Sequence, residues 1–205
     1  MKKILVLTFI TFVSAESQYP ADTLLKSDNT TFMQKIFIYP ITQWQRISYN
    51  SNAFNCQFYP SCSNYCSVAI KEEGIITGSI IGMDRITRCN PAALFYNQEI
   101  NGVYRDSDGR IIDNIKPLSY QKSNKSELAA IALSLIPGIG KIYAGRAYDG
   151  FYGVFNLFMS LQGYFFAVKN KNNFMANTFG LSSLFLYASE IYGSWRAVKY
   201  YQPKK

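Results

Sequence analysis

Residues 151–168, FYGVFNLFMSLQGYFFAV, carry no charged side chain, and their reading decides the fold. An uncharged helical run of this length suffices to cross the hydrocarbon core of a bilayer. Lys169-Asn-Lys-Asn-Asn173 then forms a tight polar turn, after which residues 174–189 return to apolar composition. Glu190 stands near the end of that second run, with Tyr192 and Trp195 suited to anchor it at a membrane interface. The expected fold class is mainly α. It comprises a small cysteine-containing helical module followed by a transmembrane helical hairpin, with a short β-hairpin in the connection.

Upstream of the paired runs, residues 128–140 are also uncharged. Pro137-Gly-Ile-Gly140-Lys-Ile-Tyr143-Ala-Gly145 superficially suggests a phosphate loop, but it lacks the G-x4-G-K-[ST] spacing. The pattern P-G-x-G-x-x-Y-x-G followed by paired spans instead resembles the two-transmembrane-helix domain family, over residues 128–195. With two spans, both flanks share one side and hold more Lys and Arg than the turn, which places the N-terminal module in the cytoplasm. If residues 128–143 also entered the membrane, Lys141, Arg146, Arg196, Lys199, Lys204 and Lys205 would face inward, opposite Lys169 and Lys171. The sequence reading prefers this three-segment arrangement.

Composition narrows the function. The chain has 205 residues, a net charge of +8, 15 Phe, 16 Tyr and no His. Basic charge with amphipathic aromatics suits anionic lipid headgroups. Without His, the commonest general base and metal ligand are missing, and neither a Ser-His nor a Cys-His nucleophile can exist. The basic residues are dispersed rather than gathered with aromatics in one groove, so no nucleic-acid partner is expected. No enzymatic activity and no cofactor are expected.

At the N-terminus, Lys2 and Lys3 precede the uncharged run Ile4 to Val13, and Val13-Ser14-Ala15 offers small residues for cleavage. Residues 1–15 therefore read as a signal peptide. Residues 16–31 are polar and unpatterned, a flexible lead-in. From Met33 to Tyr49, Phe37, Ile41, Trp44 and Ile47 recur at helical spacing, with Arg46 available for the opposite face. Pro40 is expected to kink or divide this helix. These five residues form the candidate membrane-surface contact; packing of the same stripe onto the module's own core is the alternative, and the two are compatible.

Cys56-Gln-Phe-Tyr-Pro-Ser-Cys62 brings two cysteines together around Pro60. Ser63 is the expected N-cap of a helix that Gly74 closes, and a second helix runs from about Thr77 to Arg88. The spacing C-x5-C-x3-C-x22-C does not match the usual C-x2-C zinc pairs, and no metal is expected. In an exported module Cys56, Cys62, Cys66 and Cys89 could form two disulfides, with the connectivity open. In a reducing compartment they would be small apolar residues.

Gln34-Lys-Ile-Phe-Ile-Tyr-Pro40, Cys56-Gln-Phe-Tyr-Pro-Ser-Cys62-Ser63-Asn-Tyr65 and Arg85-Ile-Thr-Arg88-Cys89-Asn-Pro91 together resemble the membrane protein insertion efficiency factor (YidD) family, over about residues 33–91. The resemblance makes Cys56, Tyr59, Pro60, Cys62, Ser63, Tyr65, Arg85, Arg88, Cys89 and Pro91 the signature residues. It implies a non-catalytic factor at the bacterial inner membrane whose partners are membrane lipid, an insertase or the translocation machinery, and nascent membrane proteins. Three departures stand out. Cys66 replaces a small apolar residue, Asn90 replaces a His, and Ala92-Ala-Leu-Phe-Tyr96 replaces the family's closing segment. An export signal would also put the cysteine module on the opposite side of the membrane from the family's usual site. The alternative function is therefore an exported, disulfide-stabilised envelope protein with a structural or binding role.

Residues 97–126 read as a linker. Within it Val103-Tyr-Arg105 and Arg110-Ile-Ile112 flank Asp106-Ser-Asp108-Gly109 as a short β-hairpin; a calcium loop is excluded by its missing acidic positions. The domains are then a signal peptide (1–15), lead-in (16–31), helical module (32–96), linker (97–126) and hydrophobic membrane domain (127–205).

Overall fold

The computed structural model describes residues 19–51, 56–116 and 124–201. The expected signal peptide, residues 1–15, lies outside the described residues, as do residues 117–123 of the expected linker. The described part is mainly helical. Helix α1 (Pro20–Lys26) begins on a proline, whose fixed φ suits a first helical turn. It corrects the flexible lead-in: Ala21 is fully buried beside Ile38 and Ile70, and Asp22 pairs with Arg46 at 3.0 Å. The apolar residues Ala21, Leu24 and Leu25 supply the packing that an unpatterned polar reading missed.

Helix α2 (Phe32–Ser48) opens with a capping box in which Thr31 and Gln34 satisfy each other's backbone donors. It does not divide at Pro40. Pro40 lies on the exposed side of the helix. Strand β1 (Phe58–Tyr59) leads into α3 (Cys62–Glu73) through a cis Tyr59–Pro60 bond. The N-cap of α3 is Ser61, whose hydroxyl accepts from Asn64 N, and not Ser63. Gly74, at φ +84°, joins α3 to α4 (Ile75–Arg88); a left-handed backbone there costs glycine little. The two helices fold back on each other, with Gly78 against the backbone of Ala69 and Ile70.

Helix α5 (Ala93–Glu99) follows. Tyr104 then bridges Ile111 in antiparallel fashion around Gly109 at φ +68°. Strand β2 (Ile111–Ile112) lies parallel to β1, in the register Phe58–Ile111 and Tyr59–Ile112. Residues 103–113 are thus built onto the module rather than linking it loosely, because Phe58, Ala93 and Ile111 share one buried cluster.

The C-terminal part contains α6 (Glu127–Leu133), α7 (Ile139–Tyr143), α8 (Ala147–Lys169) and α9 (Asn173–Tyr200). Residues 128–143 do not form a third span. They break at Gly138, φ +84°, into helices of 7 and 5 residues, each about 10 Å long or less at 1.5 Å per residue. Gly138 N donates to Glu190 at 3.1 Å, fixing the break. Helices α8 and α9 form an antiparallel pair. Among the described residues, α8 alone is long and apolar enough to cross a membrane. In α9, the serines, Glu190 and Arg196 buried toward α8, α7 and the module lower the apolarity of the run.

Candidate functional site

The residues that most distinguish this molecule are charged and buried. Arg85 and Arg88 lie one turn apart on α4, facing β2 and α9. Arg85 donates to Asp113 Oδ2 at 2.6 Å and to Pro60 O at 3.1 Å. Its guanidinium lies over the rings of Phe58 and Tyr65, at 4.1 and 4.4 Å. Arg88 donates to the same oxygen, Asp113 Oδ2, at 2.6 Å, and to Asp84 at 2.8 Å. From α9, Arg196 reaches Tyr65 OH at 2.7 Å and Asp113 Oδ1 at 3.4 Å, and Tyr201 OH donates to Asp113 Oδ1 at 2.7 Å. Burial alone would raise the Asp113 carboxyl, but Arg88, Arg85 and Arg196 outweigh it and hold the group well below the usual carboxylate range.

A second row continues the seam. Lys141 on α7 donates to Glu190 Oε1 at 2.7 Å and to Thr87 Oγ1 at 2.9 Å. Asn90 donates to Asp149 Oδ1 at 2.6 Å, and Asp149 also pairs with Arg146. Tyr96 OH accepts from Tyr148 N at 3.0 Å. Asn90 and Tyr96 belong to the positions that depart from the family pattern, and both meet α8. A side chain at Gly193 would strike Asp84, so α4 and α9 approach this closely only at a residue without a Cβ.

Three of the four cysteines gather. The Sγ atoms of Cys56, Cys62 and Cys89 all lie within 4.8 Å of one another. Hydrogen bonding from Cys62 and Cys89 pulls the Cys56 thiol down, while its partners are pushed up. Cys66 lies elsewhere, packed beside Ile38 and Ile70, and burial pushes its thiol up to about 11. The pairing of Cys66 with Cys56 or Cys89 is not brought together. Tyr59 is partly exposed beneath Arg105, 4.3 Å from its ring. Ser63 Oγ accepts from Gln45 at 3.3 Å. Pro91 follows Asn90 in the turn before α5.

The expected surface stripe on α2 is split. Phe37 and Ile41 pack against the Ala21–Ile38–Ile70 cluster, and Arg46 is engaged by Asp22. Trp44 and Ile47 are exposed, and they continue an outward face with Met33 and Ile36. On α8, 22% of the apolar window is buried. A core helix of a soluble protein would be mostly buried, whereas Phe151, Phe155, Phe158 and Phe166 of α8 are exposed.

Sequence reasoning found Arg85 and Arg88 but missed Asp113, Lys141, Asp149, Arg196 and Tyr201. For Lys141, a lone charge between apolar stretches was an available signal, because such charges are retained only with a partner. Asp113 had none, standing just after Ile111 and Ile112 at the end of the expected hairpin.

The chain matches the YidD family model, described as "Putative membrane protein insertion efficiency factor", over residues 33–97. A protein of that name from Staphylococcus carnosus is 41% identical over 59 residues, covering 29% of this chain and 70% of the relative. Its counterpart in Thermotoga maritima is 39% identical over 59 residues, covering 29% and 73%. The one in Thermoanaerobacter pseudethanolicus is 39% identical over the same length, covering 29% and 86%. No solved structure gives a significant match.

Proposed function

The chain belongs to the YidD family of membrane protein insertion efficiency factors, and from that membership we propose that it is a membrane-anchored, non-enzymatic factor assisting insertion of newly made proteins into the bacterial inner membrane. The observation that carries this reading is the exposed apolar face of α8, joined to the insertion-factor module through the Asn90–Asp149 and Tyr96–Tyr148 hydrogen bonds. An insertion factor that carries its own membrane element is held permanently where nascent segments enter the bilayer. If α9 crosses beside α8, with its serines turned inward to α8, both flanks of the pair share a side. Lys141, Arg146, Arg196 and Lys199 then lie on the module's side, which the positive-inside rule assigns to the cytoplasm. In this reading Trp44, Ile47, Met33 and Ile36 rest against lipid or a membrane-embedded insertase.

A pulse-chase insertion assay tests the proposal. Cells lacking this chain should insert a newly made inner-membrane reporter more slowly, scored by protease protection, and the wild-type chain should restore the rate. Phe155→Lys with Phe158→Lys should not restore it, since each buried Lys opposes insertion by about 2.5–3.5 kcal/mol. Unchanged insertion kinetics in the deletion strain would refute the reading.

A further inference from the structure

Cys56, Cys62 and Cys89 come from three separate places: the approach to β1, the first residue of α3 and the C-cap of α4. Linear spacing argued against a metal because no two of them form a C-x2-C pair. The fold removes that objection by bringing all three Sγ atoms within 4.8 Å, with Cys56 and Cys62 3.5 Å apart. A metal–thiolate bond of about 2.3 Å sets neighbouring sulfurs of a tetrahedral site about 3.8 Å apart, so closure around one ion needs movements of about 1 Å or less. A disulfide would use two of the three sulfurs and leave the third facing it. One ion at their centre would use all three.

We propose that Cys56, Cys62 and Cys89 form a binding site for a single soft d10 cation held by three thiolates. The cation is copper(I), which three sulfurs satisfy, or zinc, which keeps a fourth position for an external ligand. Among the described residues no other Cys, Asp or Glu joins the group. Phe58, Ala93 and Ile111 form its apolar floor. Gln57 steadies one ligand, its Nε2 donating to Cys89 Sγ at 3.8 Å and to Asn90 O at 2.9 Å. All three cysteines are half-buried, so an ion can enter from solvent. On binding, each thiol releases its proton to solvent and its sulfur forms one bond to the ion. Cys66, packed among Ile38 and Ile70 with its Sγ toward Gly82, is not a ligand. The bound ion would tie the start of α3 to the end of α4, directly beside the β1 floor of the Arg85 cage.

The test uses the full chain, purified from membranes in mild detergent with reductant and without chelator. Elemental analysis after loading with zinc or with copper(I) should give one equivalent of ion in the wild type and in Cys66→Ser. Cys62→Ser and Cys89→Ser should bind at least tenfold more weakly. X-ray absorption on the loaded wild type should show three sulfur neighbours, with an added light-atom neighbour for zinc only. Because these readings are made on the wild-type protein, misfolding of a variant cannot mimic them. Reduced wild-type protein that takes up neither ion at micromolar free concentration overturns the proposal. So does a Cys56–Cys62 disulfide in thiol-trapped native protein, or an equal loss of binding in Cys66→Ser.

Discussion

Asp113 receives Arg85, Arg88, Arg196 and the Tyr201 hydroxyl on two oxygens, away from water. Removing the Asp113 carboxylate leaves the buried guanidiniums of Arg85 and Arg196 without a carboxylate partner, at a cost of about 3–5 kcal/mol. Asp113→Ala should therefore lower the melting temperature of the detergent-solubilised chain far more than Asp108→Ala, because Asp108 is itself exposed and its partners Arg105 and Arg110 are only half-buried. The pH dependence has a definite sign. A carboxyl depressed in the folded state contributes fully above its unfolded value of about 3.9, and the contribution is lost as pH falls below that. Melting of the wild type should be insensitive to Asp113 between about pH 5 and 8 and should fall steeply in stronger acid. A stability loss from Asp113→Ala no larger than that from Asp108→Ala would show that the network is not structural. At this scale the sequence was half legible. Arg85 and Arg88 stood out through their spacing before Cys89, but nothing local distinguishes Asp113 from Asp106 or Asp108. Its role is set by three arginines from α4 and α9 together with Tyr201, the C-cap of α9.

At the scale of elements, periodicity located most helices, and packing decided their faces. The stripe Phe37–Ile41–Trp44–Ile47 on α2 is real as a spacing. Yet α1 covers its first half, and the exposed apolar line runs instead through Met33, Ile36, Trp44 and Ile47. No single-helix pattern could announce α1 as the covering partner. The break of residues 128–143 is more local in origin: α6 ends at Leu133, with Ser134 as its C-cap, and Pro137 and the left-handed Gly138 turn the chain into α7, while Glu190, 52 residues away, holds the turn. A measurement separates the two halves of α2. In full-length chain carrying Trp195→Phe and reconstituted into bilayers, Trp44 fluorescence should be quenched by brominated lipids, and Ile47→Glu should reduce that quenching without lowering the melting temperature. Phe37→Ala should instead cost about 2 kcal/mol of stability, less than the roughly 3–5 kcal/mol of a fully buried Phe. Trp44 emission indifferent to brominated lipid would mean that this face does not meet the membrane.

Across the whole molecule, the module and the C-terminal helices share one seam. Asp84 and Arg88 from α4, Asn90 after it, Lys141 from α7, Asp149 from α8 and Arg196 from α9 form its ion pairs and hydrogen bonds. The family match ends at residue 97, and the helices beyond it pack onto the module in part through Asn90 and Tyr96. The mainly helical class was legible because apolar runs and Gly–Pro punctuation are local properties. The seam was not, since each of its charges finds its partner only after folding. In the proposed arrangement the seam lies at one membrane boundary, with the apolar lengths of α8 and α9 beyond it. If α8 anchors the insertion-factor module in the bilayer, alkaline carbonate washing of membranes from cells making the full chain leaves the protein in the membrane pellet; release into the supernatant would show that α8 does not span the bilayer.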